Sequence, residues 1–592
     1  MRRLLILLTV LLSLSLVFVF AGIDMPEKKV PVRQAFMEKS AGSFDAVEYV
    51  RAQQEIFDWL NAEAVPLSRR TSITVHVSKE EMDEVEQHRC ETCGHRAEAV
   101  RIGLVKPAGV NVAFRNLNSL TRTADGGFVW TFAAESPGAT ALRVHLSNFN
   151  LPENAALYTY GINGEAFGPY IGRGPGDEGD FWTHTITGPI AFLQLRHFGP
   201  VSESELRSIN FSIADIGHIG PKFLLAFFQD LNRTPEGAGK VMEHCPENEP
   251  CVEDASCYSG TAINNAKYAV AHMEWIAGAW IYYCTGGLVA DTDETTQIPY
   301  FLTANHCISK GKDAKALECF WQYWTANCGG TCLDPGTFPR TMGADILASS
   351  KDGDHTLMQL WDDPPAGSYF MGWTNAPVAT ADGTHLFRIS HPSGMPQAYS
   401  EHVVDSQYIE CTSLPIGEFI YSQDVVGATE GGSSGAPVYN MNGQIVGQLY
   451  GACGYTLEVC DFEQNRTVDG AFAFYYNSVQ PWLDPESGPV GDKMHVSSIV
   501  LSIKVKGPKT DAIANVIIVD ENGAPVEGAT VSGTFSGDVT GTASGTTGAD
   551  GEATIKIQKQ GAISAFTFCV DNVTLSGWTY DYGANLETCG YY

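Results

Sequence analysis

The sequence predicts a mainly β-sheet protein of several domains. The prediction rests on three stretches that differ in residue pattern and composition. Residues 100–215 alternate apolar and polar side chains in short runs, such as Phe-Val-Trp-Thr-Phe at 128–132, with Gly and Pro between the runs. This spacing is typical of an antiparallel β-sandwich. Residues 496–592 are poor in large apolar side chains and set short runs between Asn-Gly and Asp-Gly turns, which predicts a second, smaller sandwich. The stretch between them, 251–484, lacks the alternation of strands and helices that an α/β fold requires.

The same textures predict where the domains begin and end. Polar, Gly- and Pro-containing stretches separate regions of regular pattern and mark linkers. The predicted segments are a signal peptide (1–21), a partly helical polar segment (22–99), a β-sandwich (100–220), a linker (221–250), a cysteine-rich region (251–484), a second linker (485–495) and a C-terminal sandwich (496–592).

The first residues predict export. Met1-Arg2-Arg3 is a basic start, residues 4–20 are apolar apart from one Thr and two Ser, and Val19-Phe20-Ala21 has the small-residue pattern of a cleavage site. An uncleaved anchor is the alternative, because the apolar run is just long enough to span a bilayer. We therefore expect a secreted protein with no stable membrane insertion after signal cleavage.

Composition narrows the class of protein. Hydrophobic residues make up 44% and charged residues 18% of the 592 residues, which is ordinary for globular proteins. The formal net charge of −31 argues against a nucleic-acid partner, because phosphate binding requires basic surface.

Fifteen cysteines agree with an oxidising compartment. Eleven lie between residues 245 and 460, and the odd total predicts a free thiol or an intermolecular bridge. Cys90 and Cys93 are more consistent with a local disulfide than with half a metal site, since no matching pair stands nearby. Cys569 and Cys589 are expected to close a disulfide in the tail. We expect no metal and no organic cofactor.

The most informative stretch is Thr-Glu-Gly-Gly-Ser-Ser-Gly-Ala-Pro at 429–437. A hydroxyl among glycines suits a serine nucleophile with a backbone oxyanion hole, because glycine adopts unusual dihedrals and leaves room for an incoming carbonyl. A surface turn would have the same composition. The upstream run Phe-Leu-Thr-Ala-Asn-His-Cys at 301–307 favours the catalytic interpretation, because His306 is a suitable base for a serine hydroxyl.

An acid is needed to orient the histidine. Asp354 directly precedes the apolar run at 355–360 and lies between His306 and the serines in the chain. Asp352 and Asp345 stay open as alternatives if the strand register differs.

Two adjacent serines compete as nucleophile. Gly-Gly-Ser-Ser-Gly at 431–435 matches the G-x-S-x-G elbow of α/β-hydrolases with Ser433 as nucleophile, but that fold needs a histidine after the serine, and the one candidate is His495, in a linker. The order His, Asp, Ser instead favours Ser434, which heads Ser-Gly-Ala-Pro.

With these motifs in place, residues from about 251 to 484 resemble bacterial trypsin-like serine endopeptidases, and specifically the secreted lysyl endopeptidase group. The stretches that carry the resemblance lie at 284–289, 301–307, 354–357, 391–394, 429–437, 446–451 and 482–485. The resemblance implies a chymotrypsin-like double β-barrel with the triad in the cleft between barrels. It implies His306 as general base, Asp354 as orienting acid and Ser434 as nucleophile, with an oxyanion hole formed by the N–H groups of Gly432 and Ser434.

The resemblance also implies a maturation scheme and disulfides. Residues before 245 would form a pro-region, and the tail resembles the immunoglobulin-like accessory modules of secreted bacterial hydrolases. Ser433 replaces the aspartate that receives a freed N-terminus in pancreatic-type enzymes, so that mode of activation is not expected. The implied disulfides are Cys284–Cys307, Cys257–Cys328, and Cys251 with Cys453 or Cys460.

Substrate preference is less directly implied. In lysyl endopeptidases an aspartate near the end of the domain receives the lysine side chain, and Thr467 stands at the matching position here. Asp469, two residues on, would reach the pocket with a small register shift. Leu449, Tyr450 and Gly451 are expected to form the strand that pairs with substrate backbone.

Taken together, the sequence predicts a secreted bacterial serine endopeptidase that acts on protein or peptide substrates, as a monomer, with cleavage after Lys or Arg. The alternative is a non-catalytic binding or adhesion protein that keeps a protease-like body.

Overall fold

The computed structural model describes most of the chain from Val32 onward. The described residues are 32–66, 70–87, 99–113, 120–220, 248–293, 295–330, 338–408, 414–456, 458–485, 493–521, 523–575 and 578–592. The predicted signal peptide, Cys90 and Cys93, most of the linker at 221–250 and part of that at 485–495 lie outside them.

The described part of the N-terminal segment contributes short strands and two helices. Its elements are β1 (Gln34–Ala35), β2 (Glu38–Lys39), α1 (Ala46–Ala62), β3 (Thr71–Thr74) and α2 (Lys79–Gln87). Asp45 begins α1 as an N-cap, since its carboxylate accepts hydrogen bonds from the N–H groups of Val47 and Glu48.

Residues 100–220 form the predicted sandwich. Its elements are β4 (Val100–Ala113), β5 (Thr121–Arg122), β6 (Phe128–Glu135), β7 (Ala141–Asn150), β8 (Ala155–Tyr160), β9 (Ala166–Tyr170), β10 (Phe181–Trp182), β11 (Ile186–Thr187), β12 (Ile190–His197), α3 (Glu203–Ser208) and β13 (Asn210–Ile219). One sheet has the order β3-β6-β12-β8-β9, and β10, β7, β13 and β4 belong to the other. Apolar side chains from both sheets, including Phe132, Leu146, Leu193 and Phe211, pack between them.

A first barrel follows. It is preceded by β14 (Glu253–Asp254), which pairs with a strand of the second barrel. The elements of the first barrel are α4 (Thr261–Lys267), β15 (Val270–Ala277), β16 (Trp280–Leu288), β17 (Tyr300–Ala304), α5 (Gly311–Lys315), β18 (Glu318–Trp321), β19 (Arg340–Met342), β20 (Ala344–Ser350) and β21 (His355–Leu360). The pairing runs β19-β18-β15-β16-β17-β21-β20. Gly343, with φ of 72°, joins β19 to β20 and thereby closes the ring.

A second barrel carries the serine loop. Its elements are β22 (Tyr369–Phe370), β23 (Trp373–Thr374), β24 (His385–Ser390), β25 (Ala398–Val404), β26 (Phe419–Val426), β27 (Pro437–Asn440), β28 (Ile445–Gly454), β29 (Asn465–Ala471) and α6 (Phe472–Leu483). The order β28-β27-β24-β25-β26-β29 closes because β29 also pairs with β28. The predicted mainly-β, chymotrypsin-like double barrel is confirmed.

The sandwich and the first barrel share one sheet. Residues at the start of β16 pair with β4, Trp280 opposite Leu104 and Tyr283 opposite Val100, while Gly287 and Leu288 at its end pair with β17. β16 therefore belongs to both domains, a junction that the sequence patterns do not predict.

The C-terminal part is a separate pair of sheets. Its strands are β30 (Lys493–Lys506), β31 (Lys509–Asp520), β32 (Thr530–Gly537), β33 (Gly541–Thr546), β34 (Glu552–Gln560), β35 (Phe566–Thr574), β36 (Thr579–Tyr580) and β37 (Cys589–Tyr591). They pair in the orders β34-β31-β30-β36 and β33-β32-β35-β37 around a core that includes Val516, Ile555 and Phe568. None of the helices in the described ranges has the length and apolarity to cross a membrane.

Candidate active site

The pairing of β17 with β21 brings His306 and Asp354 together. Ala304, the last residue of β17, lies opposite His355, the first residue of β21. His306 follows the end of one strand and Asp354 precedes the other, so both side chains lie at the same edge of the first barrel. The N–H of Asn305 donates to the carbonyl of Asp354 at 3.0 Å and closes this edge.

Asp354 holds His306 through both carboxylate oxygens. Oδ1 accepts the His306 N–H at 2.9 Å, and Oδ2 lies 2.7 Å from His306 Nδ1. Asp354 is 4% exposed and has φ of 47°, a left-handed conformation that is costly for a residue with a side chain. The amide of Gln448 donates to the Asp354 carbonyl at 2.9 Å and helps to hold this conformation.

The competing acids point elsewhere. Asp345 accepts the indole N–H of Trp361 at 2.9 Å, and Asp352 is exposed. Asp354 is therefore the carboxylate that contacts His306.

The serine loop presents one hydroxyl to the cleft and buries the other. Ser433 is fully buried and its Oγ accepts a hydrogen bond from Ser390 Oγ at 3.0 Å. Ser434 is 9% exposed and lines a cleft whose other described residues belong to the second barrel, apart from Val100 of the N-terminal sandwich. This arrangement favours Ser434 over Ser433 as the reactive hydroxyl, because a buried, hydrogen-bonded hydroxyl has no access to substrate.

β16 links the serine loop to the histidine. The N–H of Thr285 donates to the Ser434 carbonyl at 2.9 Å, and the preceding residue, Cys284, is bonded to Cys307 next to His306. The Cys307 Sγ lies 3.7 Å from His306 Nε2 and 3.7 Å from the Ser434 carbonyl oxygen. The disulfide therefore joins β16 to the turn that carries His306, and the hydrogen bond of Thr285 joins β16 to the serine loop.

The backbone amides around Ser434 differ in their hydrogen bonds within the described part of the chain. Ser433 N–H donates to the Glu430 carbonyl at 3.0 Å and Gly435 N–H to the Leu449 carbonyl at 2.8 Å, but no hydrogen bond is formed there by the amides of Gly432 and Ser434. These are the two donors that the sequence predicts for an oxyanion hole. Gly432 has φ of 99°, and a Cβ there would lie 2.1 Å from the Tyr283 ring, so this position requires glycine.

The walls of the cleft come mainly from β28 and the loop before β29. Leu449, Tyr450 and Gly451 line it, as does Val100 at the start of β4 in the N-terminal region. The Tyr450 ring lies edge-on to His306 with 6.0 Å between ring centroids.

Of the two predicted specificity residues, Thr467 lines the cleft and Asp469 does not. Thr467 lines the cleft and its hydroxyl donates to Asp424 Oδ1 at 2.9 Å. Asp469 is not a pocket acid: it is fully buried and paired with Arg388, because its side chain faces the interior of the second barrel. The prediction that Asp469 reaches the pocket is therefore wrong.

The cysteines pair largely along the predicted lines. Disulfides join Cys284–Cys307, Cys257–Cys328 and Cys569–Cys589, while Cys251 is joined to Cys460 and not to Cys453. Cys453 is disulfide-bonded as well, and no pairing within the described residues accounts for it. Cys319 is a buried free thiol, and its burial raises the pKa.

One cluster of metal-type ligands occurs among the described residues, at Cys284, His306 and Cys307. Both sulfur atoms belong to the disulfide, so they offer no thiolate to an ion.

Sequence reasoning missed two residues at this site. Gln448 supports the Asp354 backbone, and its Oε1 accepts from the Tyr475 hydroxyl at 2.5 Å. Asp424, on β26, faces the cleft beside Thr467. The sequence signal that could have identified Asp424 is its position, an acid within a predicted strand ten residues before Ser434.

Comparisons with known proteins show which proteins the chain is similar to. Residues 246–469 match the family model described as the C-terminal domain of lysyl endopeptidase. The lysyl endopeptidase of Pseudomonas aeruginosa is 28% identical over 351 residues, which cover 56% of this chain and 71% of the relative. The predicted resemblance of this region to lysyl endopeptidases, and so to trypsin-like serine proteases, is confirmed.

Solved structures of proteases are also similar to parts of the chain. The protease domain of MamO from Magnetospirillum magneticum is 15% identical with a TM-score of 0.23, and the match covers 35% of this chain and 94% of that one. Deg5 is 14% identical with a TM-score of 0.25, over 38% of this chain and 93% of that one.

Proposed function

We propose that this protein is a secreted serine endopeptidase that hydrolyses peptide bonds through Ser434, His306 and Asp354. The observation that carries the proposal is the contact of 2.7 Å between His306 Nδ1 and Asp354 Oδ2. The serine loop is close to this pair, because the Sγ of Cys307, the residue after His306, lies 3.7 Å from the Ser434 carbonyl oxygen. A carboxylate at Nδ1 fixes the tautomer that leaves Nε2 free to accept a proton, as a general base requires.

The reaction follows from these roles. Ser434 Oγ attacks the carbonyl carbon of the scissile bond while His306 Nε2 takes the hydroxyl proton. The developing oxyanion accepts hydrogen bonds from the amides of Gly432 and Ser434, donors that are fixed before the reaction begins. His306 then gives the proton to the leaving amine, and a water attacks the resulting ester by the same route in reverse, which regenerates Ser434.

The proposed substrates are proteins or peptides cleaved after Lys or Arg. Leu449 to Gly451 would pair with substrate backbone at the cleft wall. The region before residue 245 is proposed as a pro-region. Val100 supports this role, because it belongs to that region and yet lines the same cleft as Ser434.

Adjacent serine variants test the nucleophile. We expect Ser434→Ala to reduce kcat by about 10⁶-fold, because loss of the nucleophile leaves only the catalysis due to binding and oxyanion contacts. Ser433→Ala, one residue away, is the matched control and should keep kcat within about tenfold, since it loses one neutral hydrogen bond to Ser390. The measurement is turnover of an unstructured protein substrate by the exported protein.

The opposite pattern would contradict the proposal. If Ser433→Ala abolishes turnover and Ser434→Ala does not, the nucleophile is misassigned. If the unaltered protein hydrolyses no peptide bond, the protein is a binding or adhesion protein with a protease-like body.

A further inference from the structure

Neighbouring strands form the floor of the cleft beside Ser434. Strands β26 and β28 both pair with β29 around Thr467, which lies opposite Ser422 on one side and Ala452 on the other. Asp424, two residues after Ser422, lines the cleft together with Thr467. Ser434 and the Asp424 carboxylate therefore line the same cleft.

The Asp424 carboxylate retains capacity to bind a ligand. A carboxylate has about four acceptor sites. Within the described ranges one donor contacts it, the hydroxyl of Thr467, which lies 2.9 Å from Oδ1 and 3.1 Å from Oδ2. One hydroxyl proton cannot satisfy both oxygens.

The nearby guanidinium groups are engaged by other acids. Arg388 is paired with the buried Asp469. Arg466 donates from Nε to Asp405 at 2.8 Å, and its guanidinium lies over the Tyr408 ring at 4.4 Å from the centroid. Neither arginine forms a salt bridge with Asp424 among the described contacts, so its charge is not neutralised by a direct partner.

The lining of the cleft, Asp424 included, is acidic. Among its described residues one arginine stands against four carboxylates, a formal charge of −3: Arg466 against Asp424, Glu430, Glu458 and Asp461. Charge of one sign within a cleft attracts a ligand of the opposite sign.

Burial raises the pKa of Asp424 to about 7. A cation in contact with the carboxylate would favour the ionised form and offset the cost of burial. The site therefore gains from a basic ligand in a way that an exposed acid does not.

We propose that Asp424, on β26, is the specificity-determining acid that receives the basic side chain of the residue before the cleaved bond. This proposal rests on the proposed peptidase function and deepens it. The acid that binds the basic side chain is therefore on β26 and not on the neighbouring strand β29, where Asp469 is paired with Arg388. Thr467 acts with Asp424 by holding the carboxylate in place.

The test uses peptides that differ only in the residue before the scissile bond, lysine in one and its uncharged isostere norleucine in the other. For the unaltered exported protein we expect kcat/KM to favour lysine by about 100-fold or more, the size of effect that a close charge pair produces. Asp424→Asn should lower kcat/KM for lysine by about 100-fold and leave that for norleucine within about threefold. The amide oxygen of Asn can still accept from Thr467, so the fold is preserved.

A second variant separates direct contact from general charge. Glu458→Gln removes one negative charge from the exposed rim of the same cleft. It should change the lysine preference by no more than about threefold, because exposed charges are screened. Asp424→Ser provides a smaller replacement and should match Asp424→Asn if contact with the carboxylate is what matters.

Labelling of Ser434 by a fluorophosphonate distinguishes failure of the proposed peptidase function from failure of the specificity role of Asp424. If Asp424→Asn labels normally and keeps the lysine preference, or if the unaltered protein labels normally and shows no preference, the specificity role is overturned and the peptidase function stands. If the unaltered protein neither labels nor cleaves, the proposed function is overturned and the specificity role with it.

Discussion

At the scale of single residues, the arrangement around His306 depends on which atoms Asp354 presents. Its carboxylate accepts from the His306 backbone through Oδ1 and from the ring through Oδ2. The same aspartate is 4% exposed, so water does not compete for these contacts. The imidazole is thereby held in one orientation and one tautomer.

Asp354→Asn tests this role without removing the contacts. Asn would keep an oxygen for the His306 N–H but would turn an amide N–H₂ toward Nδ1, which favours the wrong tautomer. We expect kcat to fall about 10⁴-fold with little change in thermal stability. Asp352→Asn, two residues away and exposed, is the control and should retain full activity. Equal losses in both variants would contradict the assignment of the acid.

The acidity of Asp424 predicts a pH-dependent substrate preference. Its pKa of about 7 means that the carboxyl group is neutral at lower pH and charged at higher pH. The ratio of kcat/KM for lysine to that for norleucine should therefore rise between about pH 5.5 and 8.5. Any effect of pH that is common to both substrates cancels in the ratio. A flat ratio in the unaltered protein, or the same rise in Asp424→Asn, would contradict the prediction.

The Asp424→Asn variant controls for the other charged or titratable groups that face Asp424. They are Arg388 on β24, His402 opposite it on β25, and Arg466 and Asp469 on β29. Burial holds the pKa of His402 well below its usual value, so this ring stays neutral.

The sequence could predict residues whose neighbours in the chain reveal their role. His306 and Ser434 stand in short motifs, and the order of His, Asp and Ser separates Ser434 from Ser433. Asp424 and Asp469 were not distinguishable, because both are acids inside strands. Which of them faces the cleft depends on pairing across β26, β28 and β29, a long-range property of the barrel.

At the scale of elements, the disulfide between β16 and the loop after β17 connects the two halves of the site. It joins Cys284 and Cys307, which are 23 residues apart in the chain. Thr285, next to it, holds the Ser434 carbonyl. The bond thus fixes the distance between the histidine turn and the serine loop.

Replacing both cysteines by alanine should lower both stability and activity. A disulfide that closes a loop of this length contributes about 3 kcal/mol to the free energy of unfolding. We expect a lower Tm and a reduced kcat with KM little changed, because the catalytic groups lose their alignment. Removal of Cys569–Cys589, in the C-terminal sheets, is the control. If it reduces kcat as much, the effect is general destabilisation and not alignment.

At the scale of the whole molecule, the N-terminal sandwich and the first barrel behave as one body. They share the sheet that runs from β4 to β16 and a buried charge cluster. Within the cluster, Glu318 of the barrel accepts from the N–H and hydroxyl of Thr185, and lies within 3.7 Å of Arg143 and 3.5 Å of Arg340. Sequence composition predicts two separate domains here, because it does not reveal that β4 of one pairs with β16 of the other.

Glu318→Gln should therefore destabilise the full chain. It leaves two buried guanidinium groups without their shared carboxylate, which costs about 3 kcal/mol. Glu178→Gln breaks an exposed ion pair with Lys315 across the same junction and should cost less than about 1 kcal/mol. Urea unfolding of the two variants gives the comparison, and equal midpoints would show that the cluster does not hold the domains together.

The most direct test of the account is the site of covalent modification by a fluorophosphonate. The exported protein is treated with the reagent, digested and mapped by mass spectrometry. The account predicts one modified residue, Ser434, and loss of the label in both Ser434→Ala and a variant that lacks the base, His306→Ala. Label on Ser433, or label on Ser434 that does not depend on His306, would contradict it.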